Sequence, residues 1–210
     1  MLPNFSHFIL FAMATLILNL IPGTDVLYVA SQSLRSKKQG MLATLGISTG
    51  CLAYVFLTTM GLTAILSRSV IVFNLVKFVG AAYLFYLAWK LWRQPQGALH
   101  VEEAPKAMAF QSYSRGIYTN LCNPKVGLFF LTFLPQFVDV SQGHIPMQIL
   151  IFGLYFIVSG TLVNVLYVFL FVHLKDRVLT RFPLQKWLNK ISACLFSAIA
   201  LEVLVVKQGG

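Results

Sequence analysis

Two short stretches carry most of the groups able to do chemistry within an otherwise apolar chain: NLIPGTD, from Asn19 to Asp25, and NLCNPK, from Asn120 to Lys125. Each contains a proline, Pro22 or Pro124, that lacks an N–H and collides with the turn before it. The carbonyls of Leu18 and Asn120, four residues earlier, thereby lose their helical partners. They need other donors, and a ligand ammonium is one that qualifies. The helical segment that restarts after each break opens with free N–H groups and a partial positive charge, which suits a carboxylate. Asp25 adds a fixed acid and Lys125 a fixed base, with the amides of Asn19, Asn120 and Asn123 close by in the chain. The set complements a zwitterion.

The same residues have plainer uses. Thr24 and Asp25 are types that cap a helix, Asp25 and Lys125 can neutralise one another, and asparagines join spanning helices. Ionisable groups inside a spanning helix nevertheless read as functional by default. Asp25, Lys125, Asn19, Asn120 and Asn123 are therefore the candidate substrate-binding residues, and Pro22, Gly23 and Pro124 the candidate hinges.

The elements that must position these groups are membrane helices. Of 210 residues, 58% are hydrophobic and only 10% charged, against roughly 25% charged in a soluble domain. Apolar runs long enough to cross a hydrocarbon layer of roughly 30 Å fall near residues 5–30, 41–66, 70–92, 115–137, 146–173 and 186–206. They are too long for barrel strands and lack the alternation a barrel requires. The first has neither the basic start nor the cleavage site of a signal peptide, so it is expected to be retained. An all-α integral membrane protein with six spans follows, the first and fourth broken at proline.

The net charge of +10 is not distributed as a nucleic-acid surface would be. Arg35, Lys37 and Lys38 follow the first run, Lys90, Arg93, Lys106 and Arg115 flank the third loop, and Lys175, Arg177, Arg181, Lys186 and Lys190 surround the fifth. Basic residues mark cytoplasmic loops, which places both termini outside. The polar stretch 94–112 divides the chain into a three-helix repeat at 1–93 and a second at 113–210. NLIPG from Asn19 resembles NLCNP from Asn120, STGCLAYV from Ser48 resembles VSGTLVNV from Val158, and LVKFVGAAYLF from Leu75 resembles LNKISACLFSA from Leu188. Repeats with an odd number of spans enter the membrane from opposite sides, so the arrangement is inverted, with a site expected between the two breaks. Gly46 and Gly50 form a GxxxG contact surface on the second run.

PGTDVLYVASQSLRSKKQG with the LGISTG that follows, LSRSVIVFNLVKFVGAAYLFYLAWKLW, and TNLCNPKVGLFFLTFLPQFV together resemble the LysE/RhtB-type amino-acid exporters, over nearly the whole chain. The family's usual PGPD reads PGTD here, with Thr24 replacing the second proline. The resemblance implies a multi-pass protein of the bacterial inner membrane. It would export amino acids, neutral such as homoserine, threonine or leucine, or basic such as lysine, by proton antiport. Asp25 is the candidate for proton coupling. Substrate, protons and membrane lipid are the expected partners, without nucleic acid, and oligomeric state is left open.

Other classes fit less well. Asp25 is the only acid well inside an apolar run apart from Glu202, so an aspartyl dyad is missing, and no HExxH occurs. The chain is read as no enzyme, without cofactor. A metal-ion or other small-solute exporter of the same superfamily is the alternative, but no Cys/His/Asp cluster has ligand spacing. Cys51, Cys122 and Cys194 read as small packing residues.

Overall fold

The computed structural model describes residues 5–66 and 109–173 continuously, with isolated helical positions between 75 and 93 and between 190 and 201. Most of the third and sixth apolar runs, and residues 94–108 of the linker, lie outside the described residues. The described chain forms α1 (Phe5–Leu20), α2 (Thr24–Ser33), α3 (Lys37–Leu66), α4 (Ala109–Leu121), α5 (Pro124–Leu128) and α6 (Ile145–His173). No strand occurs among the described residues.

α3 and α6 are apolar on all sides, as helices with protein on one flank and lipid on the other must be. Leu52, Phe56 and Leu57 of α3 and Leu154, Val158 and Leu162 of α6 stand exposed on the outer surface. Lys37–Gly61 and Ile145–His173 are each long and apolar enough to cross a membrane. Phe8–Leu20 and Thr24–Ser33 meet that requirement only as a pair, bent by 51° at their break.

α3 and α6 run antiparallel. Ser48 Oγ lies 2.7 Å from Thr161 Oγ1, while further along α3 Val55 fills the space where a side chain on Gly153 would stand. α4 packs on the other flank of α3 almost backbone to backbone. A Cβ on Gly46 would collide with the Tyr113 carbonyl, and one on Gly116 would stand 2.6 Å from the carbonyl oxygen of Ala43. Gly46 is the first member of the GxxxG pair, and only a residue without a side chain permits this approach.

Phe11 of α1 is fully buried within a cluster of rings from the rest of the fold. Its centroid lies 4.5 Å from Phe152, 5.2 Å from Phe137, 5.9 Å from Phe129 and 6.0 Å from Phe133. Lipid is as apolar as this core, so close ring packing rather than escape from water holds it. The segment FFLTFLPQF supplies three of these rings, and it is not a regular α-helix. Phe129–Phe133 form a π turn and Leu134–Phe137 a 3₁₀ turn. Pro135 has no N–H to return to Leu131, so a regular α-helix is disfavoured where the turn changes type.

Candidate site between the helix breaks

α1 ends at Leu20, and α2 begins at Thr24 after an extended Gly23 that caps it without a side chain. Thr24 occupies the first helical position, where its N–H needs no intrahelical partner and proline fits equally well. Asp25 is not spent on capping its own helix. Its carboxyl is buried, 8% exposed, and Oδ2 accepts from Asn120 Nδ2 at 2.9 Å. Oδ1 has no partner.

At the second break the capping residue is Asn123. Its Oδ1 accepts from the Lys125 N–H at 3.0 Å, with Pro124 at the first position of α5. Its Nδ2 is buried near the Asp25 carboxyl without forming a hydrogen bond. Lys125 reaches back to the first break, where Nζ donates to the carbonyls of Leu18 at 3.2 Å and Ile21 at 3.1 Å. Leu18 also accepts from the Ile21 N–H at 3.2 Å, and Asn120 from the Asn123 N–H at 2.9 Å. Both carbonyls deprived by proline are thus served within the protein. The ammonium on the Leu18 carbonyl belongs to Lys125, so no ligand is needed there.

Asn19 lies on the far wall, with Nδ2 donating to Ser159 Oγ at 3.0 Å. Between the walls is a cavity of about 30 Å³, close to the share of liquid volume that one water takes. Asn19, Asp25 and Lys125 line it together with Ser48, Cys51 and Asn164. Asn120 and Asn123 stand behind Asp25 rather than in the lining. The stretches chosen by their chemistry therefore meet around one buried carboxylate.

Residues 16–207 match the LysE type translocator family. This chain belongs to that family. As a LysE type translocator it is a membrane transporter and not an enzyme. It is 29% identical over 196 residues to the uncharacterized membrane protein YrhP of Bacillus subtilis (strain 168), covering 87% of this chain and 91% of that protein. It is 30% identical over 162 residues to a homoserine/homoserine lactone efflux protein of Salmonella typhi, covering 76% of this chain and 78% of that one. No solved structure matches the translocator significantly.

The wall formed by Ser48, Thr161 and Asn164 is not among the residues singled out from the translocator's sequence. In the sequence Ser48 stands out only as the start of a repeat match. Asn164 is marked in the sequence by an amide in a span as apolar as α6, where polar side chains are expensive. Asn164 is 7% exposed and makes no hydrogen bond among the described residues. Of the cysteines, Cys51 is buried as a packing residue should be, while Cys122 and Cys194 are exposed.

Proposed function

We propose that this translocator exports a neutral amino acid from the cytoplasm in exchange for a proton. The observation that carries the reading is Asp25 Oδ1, a buried carboxylate oxygen without a partner in a polar cavity. Asn123 Nδ2, a buried donor without a partner, stands behind the carboxyl and outside the lining. The free acceptor suits the ammonium of an amino acid, and Lys125 in the lining brings positive charge toward its carboxylate. The relative whose name records homoserine and homoserine lactone efflux supports both the substrate class and the direction.

Asp25 and Lys125 are the charged residues among the described lining. A cationic side chain would bring a second ammonium without a second acid, so a neutral substrate is favoured over a basic one. Ser48, Thr161 and Asn164 offer hydrogen bonds to a small polar side chain.

In the mechanism, deprotonated Asp25 takes the substrate ammonium from the cytoplasmic side. After access switches, an external proton displaces the ammonium, and the protonated, empty carrier returns. The cavity of about 30 Å³ is too small for an amino acid, so binding requires the surrounding helices to part. In this reading the chain has six spans in two inverted repeats, with α1–α2 and α4–α5 as broken spans and Pro22, Gly23 and Pro124 as hinges. The charge bias places both termini outside.

The test uses purified protein in lipid vesicles with an imposed pH gradient and a panel of labelled amino acids. Saturable flux of a neutral amino acid that scales with the gradient, with little flux of lysine, is the expected result. Gradient-independent or absent flux across the whole panel overturns the reading.

A further inference from the structure

Two tyrosines on the long helices close the ends of the two interrupted helices. Tyr54 Oη of α3 donates to the Leu121 carbonyl at 2.7 Å, and Tyr167 Oη of α6 donates to the Leu20 carbonyl at 2.8 Å. Leu121 is the last residue of α4 and Leu20 the last of α1. Each hydroxyl supplies a donor to a carbonyl that a helix end leaves without one. Each bond also ties one half of the chain to the other.

Their placement around the cavity is symmetric. Ser48 and Thr161, which touch at the cavity wall, are 113 positions apart. Tyr54 and Tyr167 have the same separation, and so do Leu75 and Leu188, which open the third repeat match; the match from Ser48, at a separation of 110, pairs Tyr54 with Asn164 instead, so the two tyrosines correspond by their place beside the Ser48–Thr161 contact and not by that alignment. Each tyrosine stands six residues beyond the Ser48–Thr161 contact toward the C-terminus of its own helix, or about 9 Å at the rise of an α-helix. Because α3 and α6 are antiparallel, the two tyrosines lie on opposite sides of the cavity.

We propose that Tyr54 and Tyr167 are the two gates of the transport pathway. Release of Tyr54 frees the end of α4 and opens the cavity toward one face of the membrane. Release of Tyr167 frees the end of α1 and opens it toward the other. With both bonds formed the cavity is occluded. A helix-end carbonyl without its donor is unfavourable, which holds a closed gate shut; once water enters, it replaces the hydroxyl as donor and the cost falls. Space for one of these movements is already present, because Tyr54 borders an apolar groove of about 470 Å³ between α3 and the segment after Pro124. The inference rests on the alternating-access reading above but not on which solute is carried.

Cys51 lines the cavity and serves as the reporter. With Cys122→Ser and Cys194→Ser in place, the full chain is reconstituted in vesicles of each orientation and exposed to a membrane-impermeant cationic methanethiosulfonate. Tyr54→Phe, which removes only the hydroxyl, is expected to raise the Cys51 labelling rate about fivefold from one face, the worth of about one hydrogen bond. Tyr167→Phe is expected to do so from the opposite face alone. If a phenylalanine variant does not fold, Tyr54→Trp and Tyr167→Trp keep the aromatic bulk while displacing the donor, and must show the same sidedness. Unchanged labelling in either folded variant, or a rise from the same face in both, overturns the proposal. Opposite-sided labelling in a protein that moves no amino acid keeps the gates and removes the substrate reading; amino-acid flux without sidedness does the reverse.

Discussion

Asn120 and Asp25, 95 positions apart, are joined by a buried 2.9 Å hydrogen bond from Nδ2 to Oδ2. The amide of one break thereby decides which carboxylate oxygen of the other remains free. Asn120 is held there by the close approach of α4 to α3, for a Cβ on Gly50 would stand 2.9 Å from Asn120 Oδ1. The bond orients the acid while leaving Oδ1 open toward any ligand.

Asp25→Asn keeps the side chain's shape and an oxygen able to accept from Asn120, while removing the charge and the titration. Gradient-driven export in vesicles is expected to vanish, with the melting temperature close to the parental one. Asp25→Glu should retain part of the activity. Parental export by Asp25→Asn with unchanged gradient dependence would place the coupling site elsewhere.

Lys125→Met removes the donor from the Leu18 and Ile21 carbonyls. Losing two charge-assisted hydrogen bonds is expected to cost on the order of 2–4 kcal/mol, read as a lower melting temperature in detergent. Lys125→Arg, which keeps a cation and its donors, should recover most of the loss. Equal melting of the Met and Arg variants would show that the two bonds contribute nothing.

Gly116→Val places a branched side chain where even a Cβ stands 2.6 Å from the Ala43 carbonyl oxygen. Overpacking against backbone is expected to cost about 3 kcal/mol or more, and the yield of monodisperse protein should collapse. Gly61→Val, at a site with nothing within 4 Å of the added atom, serves as the control and should be neutral.

Asn164→Leu removes the unpartnered amide from the cavity wall. If that amide reads the substrate side chain, the parental protein should favour threonine over its isostere valine, and the preference should fall about tenfold in the variant, as when one hydrogen bond to substrate is lost. Competition assays in vesicles measure the ratio. An unaltered ratio would assign Asn164 to helix packing.

Asp139, in the connection before α6, accepts from the Ser141 N–H and hydroxyl and from the Gln142 amide, which holds its carboxyl below the ordinary value of 3.8. A lowered folded value means that the stabilisation is complete above the unfolded value and is lost as pH falls through the folded one. The protection factor at the start of α6, the intrinsic exchange rate divided by the observed one, should therefore be flat from pH 5 to 8, about one unit or more above the titration, and fall only below 3.8. Asp139→Asn should abolish that acid step.

α3 and α6 are legible in the sequence because an uninterrupted apolar run has few alternatives in a membrane. The two breaks stand out because proline and ionisable side chains are costly at that depth. Asp25 and Lys125 can therefore be found from their surroundings alone, but their partners cannot. That Lys125 serves the carbonyl of Leu18 while Asn120 holds Asp25 depends on helices crossing at angles no local pattern encodes. Ser48, Thr161 and the two tyrosines escape notice for a related reason. A hydroxyl on a spanning helix commonly bonds its own backbone, as Ser48 also does to Thr44, and only packing shows which ones meet across the fold. The π turn at Phe129–Phe133 is hidden because its residues would suit a regular helix equally well.

The caps on α1 also bear on how the chain is made. Its Leu18 and Ile21 carbonyls accept from Lys125, 107 and 104 positions later, and its Leu20 carbonyl from Tyr167, 147 positions later. Synthesis at about 5–20 residues per second separates the arrival of Leu18 from that of Lys125 by roughly 5–20 s. Throughout that interval the end of α1 must borrow donors from water, lipid headgroups or the insertion machinery. Release of α1 into bulk lipid is therefore costly before the ribosome has delivered the segments that cap its end.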